Sequence, residues 1–128
     1  MGSKLDTYFN FLMEALQITQ DSKGDPQVVY PLLQENLDKL DNNLAKLLRD
    51  WATTRLASVN QETGRSIAGT ISIFSNSLQD FPLGNPDNNL EIAFTGYEVV
   101  SAVFTQQECP KAWAEIQANL CRAYLNKT

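Results

Sequence analysis

Apolar residues recur along most of this chain at intervals of three and four, the period of a helix with one buried face. Leu5, Phe9, Leu12 and Leu16 mark the first such stretch, with Tyr8 and Met13 widening it, and predict a helix over residues 5–20. The most regular stretch follows: Leu33, Leu37, Leu40, Leu44, Leu47 and Trp51 are spaced four, three, four, three, four. That repeat predicts a single long helix with one seam. Pro31 sets its start near Tyr30, because an interior proline loses a hydrogen bond and clashes with the preceding turn. The same helix can run on through Leu56 to Val59.

A third helix is predicted over residues 62–78, with Ile67, Ile71, Phe74 and Leu78 as its seam. Gly64, Gly69 and several Ser and Thr residues weaken it locally. Ile71 to Phe74 alone could pass for a strand, but a lone strand would have nothing to pair with. The fourth helix carries Leu90, Ala93, Tyr97, Val100 and Phe104 on one face and Ile92, Val99 and Val103 on another. So wide an apolar arc predicts burial between neighbours. The fifth carries Trp113, Ile116, Leu120 and Tyr124.

Turn residues punctuate these stretches. Gly24 can take the left-handed conformation that ends a helix, and Asp25-Pro26 reads as a cap followed by proline at the first helical position. Residues 81–89 are dense in Pro, Gly and Asn and form the clearest loop. Asn85-Pro86 repeats the cap-then-proline signal, and Cys109-Pro110 opens the fifth helix. The expected fold is therefore all-α, about five helices with antiparallel neighbours in one domain over residues 1–128. The chain stops at Thr128 with no terminating loop, an end that reads as part of something longer.

Composition changes this picture mainly by exclusion. A chain of 128 residues is one domain's worth and can bury a core without metals or disulfides. The net charge of −5 and scattered basic residues argue against a nucleic-acid surface, which needs clustered Lys and Arg, and against an anionic membrane surface. Two cysteines, Cys109 and Cys121, make no disulfide framework; two free thiols in a reducing, cytoplasmic compartment are expected. No basic-then-apolar leader opens the chain, and no apolar run approaches the ~20 residues of a membrane span.

Histidine is absent, which removes the Ser-His-Asp and Cys-His arrangements and the commonest transition-metal ligand. Arg122 follows Cys121, but adjacent helical residues do not face each other, so both thiols read as packing residues. Glu35, Asp38, Asp41 and Asp50 could in principle meet a hard cation. Calcium wants six to eight oxygens, usually from a Gly-containing loop, and that pattern is missing. A solvated helix face interspersed with Lys39 and Lys46 is the expectation. Gly64 and Gly69 lack the neighbours of a phosphate-binding loop. No catalytic, cofactor or metal residue is expected, and the chain reads as a non-enzyme.

The last two helices resemble part of a tetratricopeptide array, which pairs a helix patterned W-x2-L-G-x2-Y with one patterned A-x3-F and closes on Pro. Ala93-Phe94-Thr95-Gly96-Tyr97 matches the second pattern, with Pro110 in the closing turn. Asn119-Leu120-Cys121-Arg122-Ala123-Tyr124 matches the first, with Gln117 at the Trp position and Cys121 at the Gly position. The stretches VVYPLLQENLDKL, FPLGNPDNNLEIAFTGYEVVSAVFT and AWAEIQANLCRAY are similar to the start of long bacterial proteins whose tetratricopeptide arrays often accompany a caspase-like protease domain. The resemblance implies right-handed stacking of helix pairs, with residues 5–80 as N-terminal capping helices and 87–128 as a repeat-like pair.

The functional expectation follows from architecture. A stack of helix pairs leaves open ends and a concave flank. The chain is expected to be a protein-interaction scaffold or the N-terminal cap of such an array, meeting a protein, a peptide, adjacent repeats or a second copy in a homodimer. The alternative is a helical bundle holding a small apolar ligand in an internal pocket. Tyr8, Phe9, Phe11, Tyr97, Trp113 and Tyr124 are expected mostly in the core, with any exposed subset available to anchor a partner.

Overall fold

A computed structural model of the chain describes residues 4–127, and within them every regular element is a helix. Six α-helices follow in order: α1 Lys4–Ser22, α2 Pro26–Glu35, α3 Asn42–Ser58, α4 Gln61–Asp80, α5 Pro86–Ser101 and α6 Pro110–Lys127. The expected count of about five was one short. The regular leucine seam does not lie on one helix, because the chain breaks between α2 and α3 through a short 3-10 turn at Leu37–Lys39.

The break has a local cause. Asn36 ends α2 by donating from its side chain to the Leu32 carbonyl at 2.8 Å, while its backbone N–H reaches the Leu33 carbonyl at 3.0 Å. Asp41 then opens α3, its Oδ1 accepting from the backbone N–H groups of Asn43 and Leu44 at 3.0 and 3.2 Å. Short polar side chains that satisfy backbone groups locally compete with helix continuation, and leucine spacing alone does not register that competition. Asp41 therefore does not share a helix face with Asp38. Its second oxygen accepts from the Tyr8 hydroxyl at 2.5 Å, which ties α1 to the start of α3. That bond, with burial adding to it, raises the Tyr8 phenol above its ordinary pKa.

Pro31 also departs from expectation. It sits inside α2, which begins five residues earlier at Pro26 with Asp25 accepting from the Gln27 N–H. Pro31 and Gln27 both face solvent, so the carbonyl that Pro31 leaves unpaired can turn to water. The other caps follow the sequence: Gly24 has φ of 78°, and its N–H reaches the Thr19 carbonyl at 2.9 Å to close α1. Asn85 caps α5 by accepting from the Asn88 N–H. The Ile71–Phe74 stretch is helical within α4.

One continuous core draws on all six helices, from Tyr8 and Leu12 on α1 through Leu33, Leu48 and Phe74 to Ile116 on α6. Its centre is α5, which packs most extensively on α4 and also on α3 and α6. Leu90, Ile92, Ala93, Phe94, Thr95, Gly96, Tyr97, Val99 and Val100 are all buried, so nearly the whole circumference of this helix is covered, as its wide apolar arc predicts. The close approach to α4 requires Gly96. A Cβ there would overlap the Ser75 hydroxyl and lie 3.3 Å from Ile71 Cγ2.

Two faces are turned from where the spacing puts them. On α1 the buried residues are Tyr8, Phe11, Leu12, Ala15, Leu16 and Thr19, while Leu5 is 62% exposed and Phe9 39%. On α3 the buried residues are Leu44, Ala45, Leu48 and Ala52, with Leu47 and Trp51 half-buried on the flank toward α1. The reason is that α3 meets two neighbours at once: its Ala45 side lies along α5 and its Leu47–Trp51 side along α1.

Candidate interaction surface

The helices α3 and α5 run side by side in the same direction. Asn42 at the start of α3 shares a cleft with Asp87 and Asn88 at the start of α5. Further along, Arg49 pairs with Glu98 across 3.4 Å. Between them in sequence, α4 reverses direction, and α6 reverses again after α5. From α3 onward the helices thus alternate in direction, with α3 and α5 parallel and in contact and α4 packed far more closely on α5 than on α3.

Helix α6 packs on α5 and more lightly on α4. Helix α6 buries Ile116 and Ala123 and half-buries Trp113 and Leu120. Leu90, Phe94 and Ala123, with Leu120 against them, form a small cluster apart from the main core. Two polar contacts brace α6 against α4: Arg122 to Asp80 at 3.2 Å, and Asn126 Nδ2 donating to Gln79 Oε1 at 3.2 Å. The ion pair is half exposed and is worth at most about 1 kcal/mol.

Gln79 belongs to a part-buried network. The Tyr97 hydroxyl donates to Asn76 Oδ1 and accepts from Gln79 Nε2 at 3.2 Å. Burial pushes the Tyr97 phenol up to about 12. This network spans α4, α5 and, through Asn126, α6, and it consists of neutral groups suited to holding helices in register.

The outward face of α6 carries Ala114, Ala118, Cys121 and Leu125, spaced four, three, four, all exposed. Leu125 is 70% exposed and Tyr124 beside it 60%. The Tyr124 ring leans on Phe94 with centroids 4.5 Å apart at 46°. Of the aromatics read from sequence, Tyr8, Phe11 and Tyr97 are buried, Trp113 is half-buried, and Phe9 and Tyr124 are exposed. No local signal separates these last two from the rest, because exposure depends on which neighbour covers each face.

The remaining candidates fall apart from one another. Glu35 and Asp50 are exposed, Asp38 pairs with Lys39 at 3.4 Å, and Asp41 is a helix cap. Cys109 is half-buried before the start of α6 and Cys121 is exposed twelve positions later, a rise of roughly 18 Å along a helix, too far to bridge. Among the described residues, acidic and sulfur side chains form no metal-holding group, and no helix is long and apolar enough to cross a membrane. Several depressions are surface grooves between helices; one, of ≈ 540 Å³, lies between α3 and α5 and is lined by Lys46, Arg49, Asp87 and Glu91. Comparison with family models, curated proteins and solved structures finds no match to this chain.

Proposed function

We propose that the chain is a non-enzymatic protein-interaction module: a scaffold or end piece in a stack of helical hairpins. The observation that carries this reading is the parallel contact of α3 with α5, each followed by its own returning helix. Units stacked in this way bury their apolar faces only against neighbours, so a helix left uncovered on its outer side among the described residues keeps a face to offer. Here that face is the Ala114–Ala118–Cys121–Leu125 stripe of α6, with Tyr124 at its edge.

The tetratricopeptide-like motifs read α5 as the second helix of one pair and α6 as the first helix of the next, so they favour stacked helices without fixing this pairing. Ala93 and Tyr97 are buried at the α5 core, as residues at a close helix contact would be. Cys121, at the position where the repeat carries a small residue, faces outward, where a following hairpin or another protein would meet it. We place the chain in a reducing compartment such as the cytoplasm, which suits two well-separated thiols. The filled interior, with Tyr97, Phe74 and Ile92 all at 0% exposure, favours a surface role over an internal ligand pocket.

The test uses Cys121 as a handle. A photo-crosslinker is attached there in a Cys109→Ser background, and for comparison at Gln34→Cys on α2, in cells producing the protein. Cys121 is expected to give a discrete protein adduct, competed by unlabelled chain and lost on Leu125→Asp; a self-adduct would identify the partner as a second copy. Equal, uncompeted labelling from both positions would remove the basis for this function.

A further inference from the structure

A groove of ≈ 250 Å³ lies where α1, α3 and α4 meet. Met13, Leu16, Trp51 and Ile67 make its apolar wall, and Gln20, Ser66 and Arg55 stand at its rim. Trp51 and Arg55 are one turn apart on α3 and so share a face. Arg55 is the one charged side chain lining the groove.

Arg55 stands apart from the other arginines. Arg49 pairs with Glu98, Arg65 with Glu108 at 3.7 Å, and Arg122 with Asp80. Among the described residues the Arg55 guanidinium has no ion-pair or hydrogen-bond partner. The chain carries five more acidic than basic residues, 15 against 10, yet this guanidinium is left free beside an apolar wall. The other polar side chains lining the groove are neutral. Gln17 donates its amide N–H to Asp21 at 3.0 Å. Thr70 donates its hydroxyl to the Ser66 carbonyl at 3.2 Å.

We propose that this groove binds a small amphipathic monocarboxylate, with its apolar chain against Trp51, Met13 and Ile67 and its carboxylate on Arg55. The planar guanidinium presents paired donors that match a carboxylate, and a charge-assisted bond of that kind is roughly twice as strong as a neutral one. The groove is smaller than the ≈ 300–1,000 Å³ of typical drug-sized sites, which restricts the ligand to a short chain or a single ring. The site is separate from the α6 stripe, so its failure would leave the interaction-module reading untouched.

The probe is octanoate, and the reporter is Trp51 in a Trp113→Phe background, which leaves it as the sole tryptophan. Octanoate is expected to shift Trp51 emission saturably. Octylamine, with the same chain and the opposite charge, is expected to leave it unchanged. Arg55→Gln is expected to weaken the response about tenfold, the scale of one lost charge-assisted bond. Ser66→Tyr, which fills the mouth from an exposed position, is expected to abolish it. Circular dichroism checks that both variants remain helical. A non-saturating response, or equal affinity for octanoate and octanol, overturns the proposal. So does Arg55→Gln binding octanoate as tightly as the parent.

Discussion

Helices α5 and α6 begin alike and end differently. Each opens on a proline, and they run 16 and 18 residues. Yet α5 is covered almost all round by α3, α4 and α6, whereas α6 rests on α5 and, more lightly, on α4. The chain writes this difference into composition. Between residues 89 and 100 only Glu91 and Glu98 are charged, and Gly96 lets α4 come close. On α6, Lys111, Glu115 and Arg122 face solvent around a stripe of alanine, cysteine and leucine. An interior helix is judged by how well it fills space on every side. An edge helix needs one good face, and its other face stays exposed.

This contrast can be tested by perturbing each helix in turn. The largest effect is expected from Ile92→Ala, which deletes a fully buried side chain on α5 and should cost about 2–5 kcal/mol in urea unfolding. A loss below 1 kcal/mol would mean that α5 is not the packed centre. Gly96→Ala should cost about 1–3 kcal/mol despite alanine's better helix propensity, because its methyl meets Ser75 and Ile71. If melting temperature rises instead, the α4–α5 approach is looser than described.

Tyr97 sharpens the comparison through pH. Its folded pKa is about 12, above the ordinary value of 10.0. The unfolded chain therefore loses the phenolic proton first, so stability from this group is complete below about pH 10 and declines as pH rises toward 12. Tyr97→Phe should flatten part of that decline, and Tyr8 and Tyr30, whose pKa values are also raised, would carry the remainder. An unchanged alkaline slope would show that Tyr97 is not shielded. The smallest effect belongs to α6: Tyr124→Ala should cost about 1 kcal/mol, from the partial stacking on Phe94. A loss comparable to Ile92→Ala would erase the distinction between the two helices.

Helix type, most boundaries and several caps were legible from the amino acids because their causes are local. Asp25-Pro26, Asn85-Pro86 and Gly24 act within a few residues, through a side chain accepting a nearby N–H or a backbone able to reach positive φ. The break at Asn36–Asp41 was equally local, and the Asn and Asp there signalled it, but the regular leucine spacing masked that signal. The proposed interaction surface was legible only as a set of apolar positions, since nothing in the order of Trp113, Leu120, Tyr124 and Leu125 says which of them a neighbour covers.

What the chain determined alone was that it forms helices, where most of them start and stop, and that α5 would be enclosed. These follow from propensity, capping and the width of an apolar arc. Only the tertiary structure decided which flank of α1 and α3 turns inward, that α3 lies parallel to α5, and that Arg55 stands unpaired at the mouth of a groove. Those outcomes depend on contacts between residues far apart in sequence, and the spacing within one helix carries no record of its neighbours.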